Sequence, residues 1–351
     1  MNQTLALIYG GKSGEHEVSI KTAFSILHAI DYTQFTVLPI YVTMEGEWAR
    51  GEVLTNKPSD IGAILYKPQA QPINLFQLKN EVNVIFPVIH GPNGEDGTLQ
   101  GLLEMLDVPY VGCGVAASSM GMDKVLMKKM YEAEGLPQCQ YTYYFKHQLE
   151  TNMDEIVEEI EEKLGYPCFV KPANLGSSVG ISKAKNRQSL KEALHVAASY
   201  DKKVIVEENV VGREIEIGVL GNDTLRTSVI GEVATTSDFY DYEAKYQNQQ
   251  VTSLQIPALL PENVQSRVAE IAKKAFHALD GTGLARIDFF WVEKTDEILI
   301  NEINTMPGFT PHSMYPMLFK EAGVSYSELI QELVKLANER HAEKKQKTIS
   351  K

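Results

Sequence analysis

Cysteine is scarce, with only Cys113, Cys139 and Cys168 in 351 residues. The three are far apart, odd in number and lack metal-ligand spacing, which excludes a disulfide framework and reads as small core residues. Positive charge is also in deficit: 33 Lys and Arg stand against 46 Asp and Glu, leaving a net charge of -13. Phosphate backbones and anionic membranes select basic surfaces, so the charge argues against a general nucleic-acid or anionic-membrane binder. A small anion held by a few lysines in a dry cleft is not. Long apolar runs are missing as well. The longest uncharged stretch, 108–122, is broken by Pro109 and three glycines and is too short to span a bilayer. The apolar run 5–9 has no basic segment before it and is too brief for a signal peptide. The expected location is the cytoplasm.

What remains is ordinary for a folded chain. Hydrophobic residues make up 44%, enough for several cores, and the length predicts two or three domains. Residues 4–9 read as a buried strand, punctuated by Gly10, Gly11 and Gly14, before helical spacing over 15–30. A strand over 35–42, an irregular insertion at 43–80 and a strand over 81–89 follow. The glycine-rich loop 90–101, helical residues 102–106 and a short strand at 110–111 complete an alternation that predicts an open α/β sheet. Helices over 123–134, 154–164 and 189–199, with strands over 167–171, 180–184 and 203–208, predict a small α/β lobe. The last part holds strands near 213–221, 225–233, 283–292 and 297–303, and helices over 263–279 and 327–337. The polar, basic tail from His341 is expected to be frayed and solvated.

Gly11-Lys12-Ser13 fails as a P-loop, because Ala6 stands where the first glycine belongs. The dinucleotide glycine pattern fails too, since Gly10 and Gly11 are adjacent. A turn into a helix N-terminus remains, which favours an anion or is simply a tight βα turn. Asn174-Leu175-Gly176-Ser177-Ser178-Val179-Gly180 follows a strand ending at Lys171. Glycines that let the backbone close in, hydroxyl donors and a lysine resemble a flap over a nucleotide, with a plain hairpin loop as the alternative.

Strand patterns over 283–292 and 297–303 are separated by a short polar turn. Paired about Thr295, they set Asp288 opposite Glu302 and Arg286 opposite Asn304, all on one face. Ile287, Phe289, Trp291, Leu299 and Ile303 then form a core face. Asp288, Glu302 and Asn304 offer hard oxygen ligands, suited to Mg²⁺ completed by substrate phosphates. Arg286 beside them is available to a developing negative charge. A solvated polar face with a surface ion pair is the plainer alternative.

These motifs carry a family resemblance. Gly10-Gly11-Lys12-Ser13-Gly14-Glu15-His16-Glu17-Val18-Ser19 and His90-Gly91-Pro92-Asn93-Gly94-Glu95-Asp96-Gly97-Thr98-Leu99-Gln100-Gly101 resemble signatures of the D-alanine–D-alanine ligases. Met122-Asp123-Lys124, Lys171-Pro172, the Gly176–Gly180 loop, Tyr240-Asp241-Tyr242-Glu243-Ala244-Lys245-Tyr246, Arg286-Ile287-Asp288 and Asn301-Glu302-Ile303-Asn304-Thr305-Met306-Pro307-Gly308 follow in the family's order. The match covers nearly the whole chain.

The resemblance implies a three-domain ATP-grasp architecture, with an open parallel-sheet N-terminal domain and two α+β lobes clasping ATP. Its implied domains are 1–121, 122–212 and 213–351, the last carrying the metal site and a lid at 235–253. The implied reaction joins two D-alanines to D-alanyl-D-alanine through a D-alanyl phosphate, for peptidoglycan precursors. ATP is the co-substrate, with two Mg²⁺ or Mn²⁺ ions. Lys124, Lys171, Ser178 and Lys245 would meet ATP phosphates; Glu207 and the backbone near Val210 would meet adenine, and Glu214 the ribose. Position 209 is Asn where some relatives carry an aromatic. Glu15 would bind the first D-alanine's ammonium, His90 would lie near its carboxylate, and Ser313 would take the second carboxylate. Asp288, Glu302 and Asn304 would hold metal, and Arg286 with the Gly308 N–H would form an oxyanion hole. A Glu15–Ser177–Tyr246 network would assist the second substrate. The family also implies a homodimer through the N-terminal domain, without nucleic acid or membrane partners.

The rivals are a D-alanine–D-lactate ligase, another ATP-grasp carboxylate–amine ligase and a non-catalytic nucleotide-binding regulator. Tyr246 argues for the dipeptide. The full set of Asp288, Glu302, Asn304 and Arg286 argues against a regulator.

Overall fold

Three separate sheets organise the chain in this computed structural model, which describes residues 2–67, 73–235 and 252–346. The first contains β1 (Gln3–Gly10), β2 (Phe35–Val42), β3 (Trp48–Arg50) and β4 (Val84–Pro87), in the order β3-β2-β1-β4. β1 pairs in parallel with β2 and β4, while β3 closes an edge antiparallel. The 43–80 stretch is therefore less irregular than expected, since it supplies β3. Leu5 through Tyr9 are fully buried because both sheet faces are covered. Leu5, Leu7 and Tyr9 join Ile20, Ala23, Ile26 and Leu27 of α1 (His16–Ala29) in one core. Ala6 and Ile8 enter another, built with Leu78 of α2 (Leu78–Glu81) and with Leu99, Leu103 and Leu106 of α3 (Thr98–Leu106). The turn from β1 toward α1 requires glycine: Gly10 has φ +91°, and an added Cβ would fall 2.1 Å from the Val42 carbonyl oxygen.

Helices α4 (Val115–Met122) and α5 (Lys124–Ala133) lead into the second sheet. Its strands are β5 (Tyr141–Phe145), β6 (Cys168–Pro172), β7 (Ser182–Ala184) and β8 (Lys203–Glu208), antiparallel in the order β5-β8-β6-β7. Helices α6 (Lys146–Lys163) and α7 (Arg187–Tyr200) pack on one face, over Cys168, Val170, Val204 and Val206. The two-residue period of a strand then turns Phe169, Lys171, Ile205 and Glu207 to the other face.

The third sheet holds β9 (Arg213–Gly221), β10 (Leu225–Thr235), β11 (Thr252–Gln255), β12 (Gly283–Val292) and β13 (Glu297–Asn304). They run antiparallel in the order β11-β10-β9-β12-β13. Helix α8 (Glu262–Ala278) covers one face, packing Val264, Val268, Ala272 and Phe276 against Ile215, Ile217, Ile287 and Phe289. Alternation leaves Glu214, Glu216, Arg286, Asp288 and Phe290 for the opposite face.

Two expectations need correction here. β12 and β13 pair as expected from Arg286–Asn304 through Asp288–Glu302, but a bulge then shifts the register, and Phe289 pairs with Ile300. The extra residue, Asn301, restarts the alternation. Ile298 and Ile300 are buried as a result, while Leu299, expected in the core, is half-buried opposite Phe290. The C-terminal tail is not frayed over its described residues. After α9 (Met314–Glu321), helix α10 (Tyr326–Gln346) buries Leu329, Ile330, Leu333 and Val334 in the core of the first sheet. Each such side chain contributes about 1.5–3 kcal/mol. Arg340 then donates to the carbonyls of Gly112 and Tyr110 and to Thr282 Oγ1. His341 lies 3.0 Å from Asp107, and Lys344 pairs with Glu104. Among the described residues, no helix is long and apolar enough to cross a membrane.

Candidate active site

The polar faces of the second and third sheets enclose a cavity of about 420 Å³, a size suited to a small-molecule ligand. Lys124, Lys171, Ser178, Glu207, Val210 and Glu214 all line it, together with Ser177 and Glu302. Phe169, Ile181, Val211 and Phe290 give it apolar walls, and Lys183 adds a cation. Sequence reasoning did not single out these last five. The signal was present for two of them: Phe169 is two residues before Lys171 on its strand, and Phe290 two after Asp288.

Lys124 is fixed from both ends. Asp123 caps α5 by accepting from the N–H groups of Val125 and Leu126, each at 3.1 Å. The Lys124 ammonium donates to the Leu175 carbonyl at 2.8 Å and lies 3.4 Å from Glu302 Oε2. It thereby ties the Gly176–Gly180 loop to the third sheet. Glu207 sits between two lysines, 2.5 Å from Lys171 and 3.2 Å from Lys128. Burial penalises its charge, yet Lys128 and Lys171 outweigh that penalty and hold its pKa down to about 2. Lys128 was also missed in the sequence, although it follows Lys124 by one helical turn.

The glycine-serine loop reaches back to the first sheet. Ser177 and Ser178 adopt φ of +53° and +60°, a left-handed conformation that non-glycine residues rarely hold. In it, Ser177 Oγ donates to Glu15 Oε1 at 2.5 Å, across 162 residues of sequence. Glu15 precedes α1, and Ser13 Oγ, which accepts from the Glu15 N–H, donates to the His90 carbonyl at 2.7 Å. A Cβ added at neighbouring Gly91 would fall 2.6 Å from Glu15 Oε2, so Glu15 and this loop are in close approach. His90 is buried, with Nδ1 3.2 Å from the Met306 carbonyl and Nε2 3.2 Å from Thr22 Oγ1. Burial favours the neutral ring, but the Glu95 carboxylate, 3.6 Å from Nδ1, with the charge of Glu15, holds the His90 pKa above its ordinary value.

On the third sheet, Arg286 donates through Nε and Nη2 to both oxygens of Asp288, each at 2.7 Å, and its Nε lies 2.8 Å from Glu216. Asp288 and Glu302 face each other across the strands, with Asn304 next along β13 on that face. Among the described residues, no three His, Cys, Asp or Glu side chains cluster to hold a metal ion. The candidate set is two carboxylates and an amide. Its hard oxygens fit a divalent cation that takes its remaining ligands from phosphate and water. Lys124 and Arg286 currently supply the positive charge beside these carboxylates. Gly308 lies against Ser313: an added Cβ would stand 3.1 Å from Ser313 Oγ. That hydroxyl is held by Thr310, 2.9 Å from its Oγ1. Lys245 and Tyr246 lie outside the described residues, as do positions 236–251 of the expected lid. Its ends, Thr235 and residues 252–253, belong to β10 and β11.

Two lobes facing a common cleft, with carboxylates turned inward from both and lysines from the second sheet and α5, define an ATP-grasp fold. The description "D-ala D-ala ligase N-terminus" matches residues 4–113, and "D-ala D-ala ligase C-terminus" matches residues 130–335. The chain is 52% identical to the D-alanine–D-alanine ligase of Bacillus velezensis, over 96% of this chain and 98% of that protein. Among solved structures, the VanG D-Ala:D-Ser ligase from Enterococcus faecalis superposes with a TM-score of 0.84 at 34% identity, covering 96% of this chain and 100% of that one. The D-alanine–D-alanine ligase from Coxiella burnetii gives 0.81 at 29% identity, covering 98% and 96%. The chain belongs to the D-alanine–D-alanine ligase family.

Proposed function

We infer that this protein joins two molecules of D-alanine into D-alanyl-D-alanine at the expense of ATP, for peptidoglycan precursor synthesis. The observation that carries the reading is the meeting of Lys124, Lys171, Glu207 and Glu302 at one cavity whose loop reaches Glu15 through Ser177. ATP would lie in that cavity, its phosphates toward Lys124, Lys171 and Ser178, its adenine near Glu207 and Val210, its ribose near Glu214. Lys245 would add a phosphate contact. Asp288, Glu302 and Asn304 would hold two Mg²⁺ or Mn²⁺ ions, which when bound neutralise charge on the transferring phosphoryl group.

The first D-alanine would rest its ammonium on Glu15 and its carboxylate near His90. A carboxylate oxygen bonds to the γ-phosphorus as the bond to the β-phosphate bridging oxygen breaks, and ADP keeps that electron pair. The second D-alanine, its carboxylate at Ser313, loses an ammonium proton and attacks the acyl carbon. Arg286 and the Gly308 N–H would stabilise the resulting oxyanion. Phosphate then departs with the bonding electrons. The Ser177–Glu15 hydrogen bond supports a network around the second substrate, to which Tyr246 would belong. An acyl phosphate hydrolyses in water, so a lid at 235–253 would close the site.

The same reading divides the chain at 1–121, 122–212 and 213–351 and places the enzyme in the cytoplasm as a homodimer joined through its N-terminal domain; family membership supports both. The test is ADP release with D-alanine, D-serine, D-lactate or L-alanine as the only added acceptors. D-Alanine should give the fastest release and a dipeptide product. Equal release with none of them present would end the ligase reading.

A further inference from the structure

Helix α5 carries two lysines four residues apart on one face, Lys124 and Lys128. Lys124 reaches the cavity, whereas Lys128 stands behind Glu207 and is fully buried. The Lys128 ammonium is 3.2 Å from Glu207 Oε1, donates to Cys139 Sγ at 3.4 Å, and lies 5.6 Å from the centre of the Tyr141 ring. Desolvating an ammonium is costly, and an apolar side chain of similar volume often serves stability as well. Packing alone therefore does not account for a lysine here. The second oxygen of Glu207 is 2.5 Å from the Lys171 ammonium, and Lys171 faces the cavity. One carboxylate is shared by an inner cation and an outer one.

We propose that Lys128 is a positioning residue, the standing counter-ion of Glu207 that lets Lys171 leave this carboxylate for the phosphates of a bound nucleotide. The proposal rests on the nucleotide reading of the cavity. A polyphosphate entering the cavity draws Lys171 away from Glu207. Without Lys128, that movement strands a buried carboxylate with no cation, and the stranding penalty is subtracted from phosphate binding. With Lys128 in place, Glu207 keeps a partner and remains ionised as a hydrogen-bond acceptor toward the base. No bond is made or broken in this step; a cation is redistributed.

Lys128→Met in this chain keeps an unbranched side chain, one heavy atom shorter, and removes the charge. Calorimetric binding of ATP and of adenosine to parent and variant separates the roles. Adenosine lacks phosphates and leaves Lys171 on Glu207, so its affinity should change by less than about two-fold. ATP should weaken about ten-fold, with a matching rise in KM for ATP and little change in kcat. In a Glu207→Gln background no carboxylate needs a counter-ion, and adding Lys128→Met should shift ATP affinity by less than about two-fold. Equal weakening of ATP and adenosine overturns the proposal, as does a full ten-fold effect that persists beside Glu207→Gln. If Lys128→Met alone does not fold, the double variant against Glu207→Gln still decides, because it lacks the uncompensated charge. A parent protein that binds neither ATP nor adenosine overturns the nucleotide reading and the proposal with it.

Discussion

Ser177 shows how much one side chain carries at the residue scale. Its left-handed backbone aims Oγ at Glu15, 2.5 Å away, and so connects the nucleotide lobe to the first sheet. Hydrogen bonds to charged groups contribute about 1.5–3 kcal/mol. Ser177→Ala should therefore lower kcat/KM for D-alanine by about 10- to 100-fold, read by ADP release, with an unchanged circular dichroism spectrum. Glu302→Gln removes a charge from the proposed metal set and should cut turnover by orders of magnitude at every Mg²⁺ concentration tested. Near-normal turnover at ordinary Mg²⁺ would remove Glu302 from that set. His90 gives a pH signature. Its folded pKa is raised, so its stabilisation is fully present below its ordinary pKa of about 6.5 and is lost as pH rises through the folded value. His90→Gln should thus destabilise more at about pH 6 than at about pH 9, measured by urea unfolding. A penalty that grows with pH would contradict the assignment.

The elements divide into those written as local pattern and those fixed by distant partners. β2 and β12 span the residues predicted for them, β2 as a nearly continuous buried run and β12 as a strand with a core face and a polar face. The site end of the β12–β13 hairpin was legible for the same reason. The bulge at Asn301 was not, since one extra residue leaves no mark in a short alternating pattern. The end of α10 was illegible for a different reason. His341 and Lys344 look like a solvated basic tail, and Arg340 before them carries no signal, until Asp107, Glu104, Tyr110 and Gly112 are brought beside them from over two hundred residues away. Arg340 also stacks 4.2 Å from the centre of the Tyr110 ring. Arg340→Ala should cost about 2–3 kcal/mol in urea unfolding, as it unties backbone carbonyls from a charged donor. Lys344→Ala, at an exposed ion pair, should change stability little. Equal effects would mean that the end of α10 is not anchored by Arg340.

At the scale of the whole molecule, the candidate site exists only where three sheets meet. The first provides Glu15 and His90, the second Lys171, Glu207 and the serine loop, the third Arg286, Asp288, Glu302 and Asn304. Motif order revealed these residues, because each motif is a short string at a strand end or loop. Phe169 and Phe290 escaped although each lies two positions from a residue the motifs named, and Lys128 escaped because a buried lysine is legible only once Glu207 stands beside it. Such an assembly is expected to pass a phosphoryl group to the carboxylate oxygen of one amino acid and then the amine of another to that carboxylate's carbon.

The most direct test of that sequence follows the oxygen atoms. D-Alanine with heavy oxygen in its carboxylate is turned over with ordinary ATP, and the phosphate released is analysed by mass spectrometry. Transfer through a D-alanyl phosphate predicts one heavy oxygen in the phosphate for each dipeptide formed. Dipeptide accompanied by unlabelled phosphate would contradict the account.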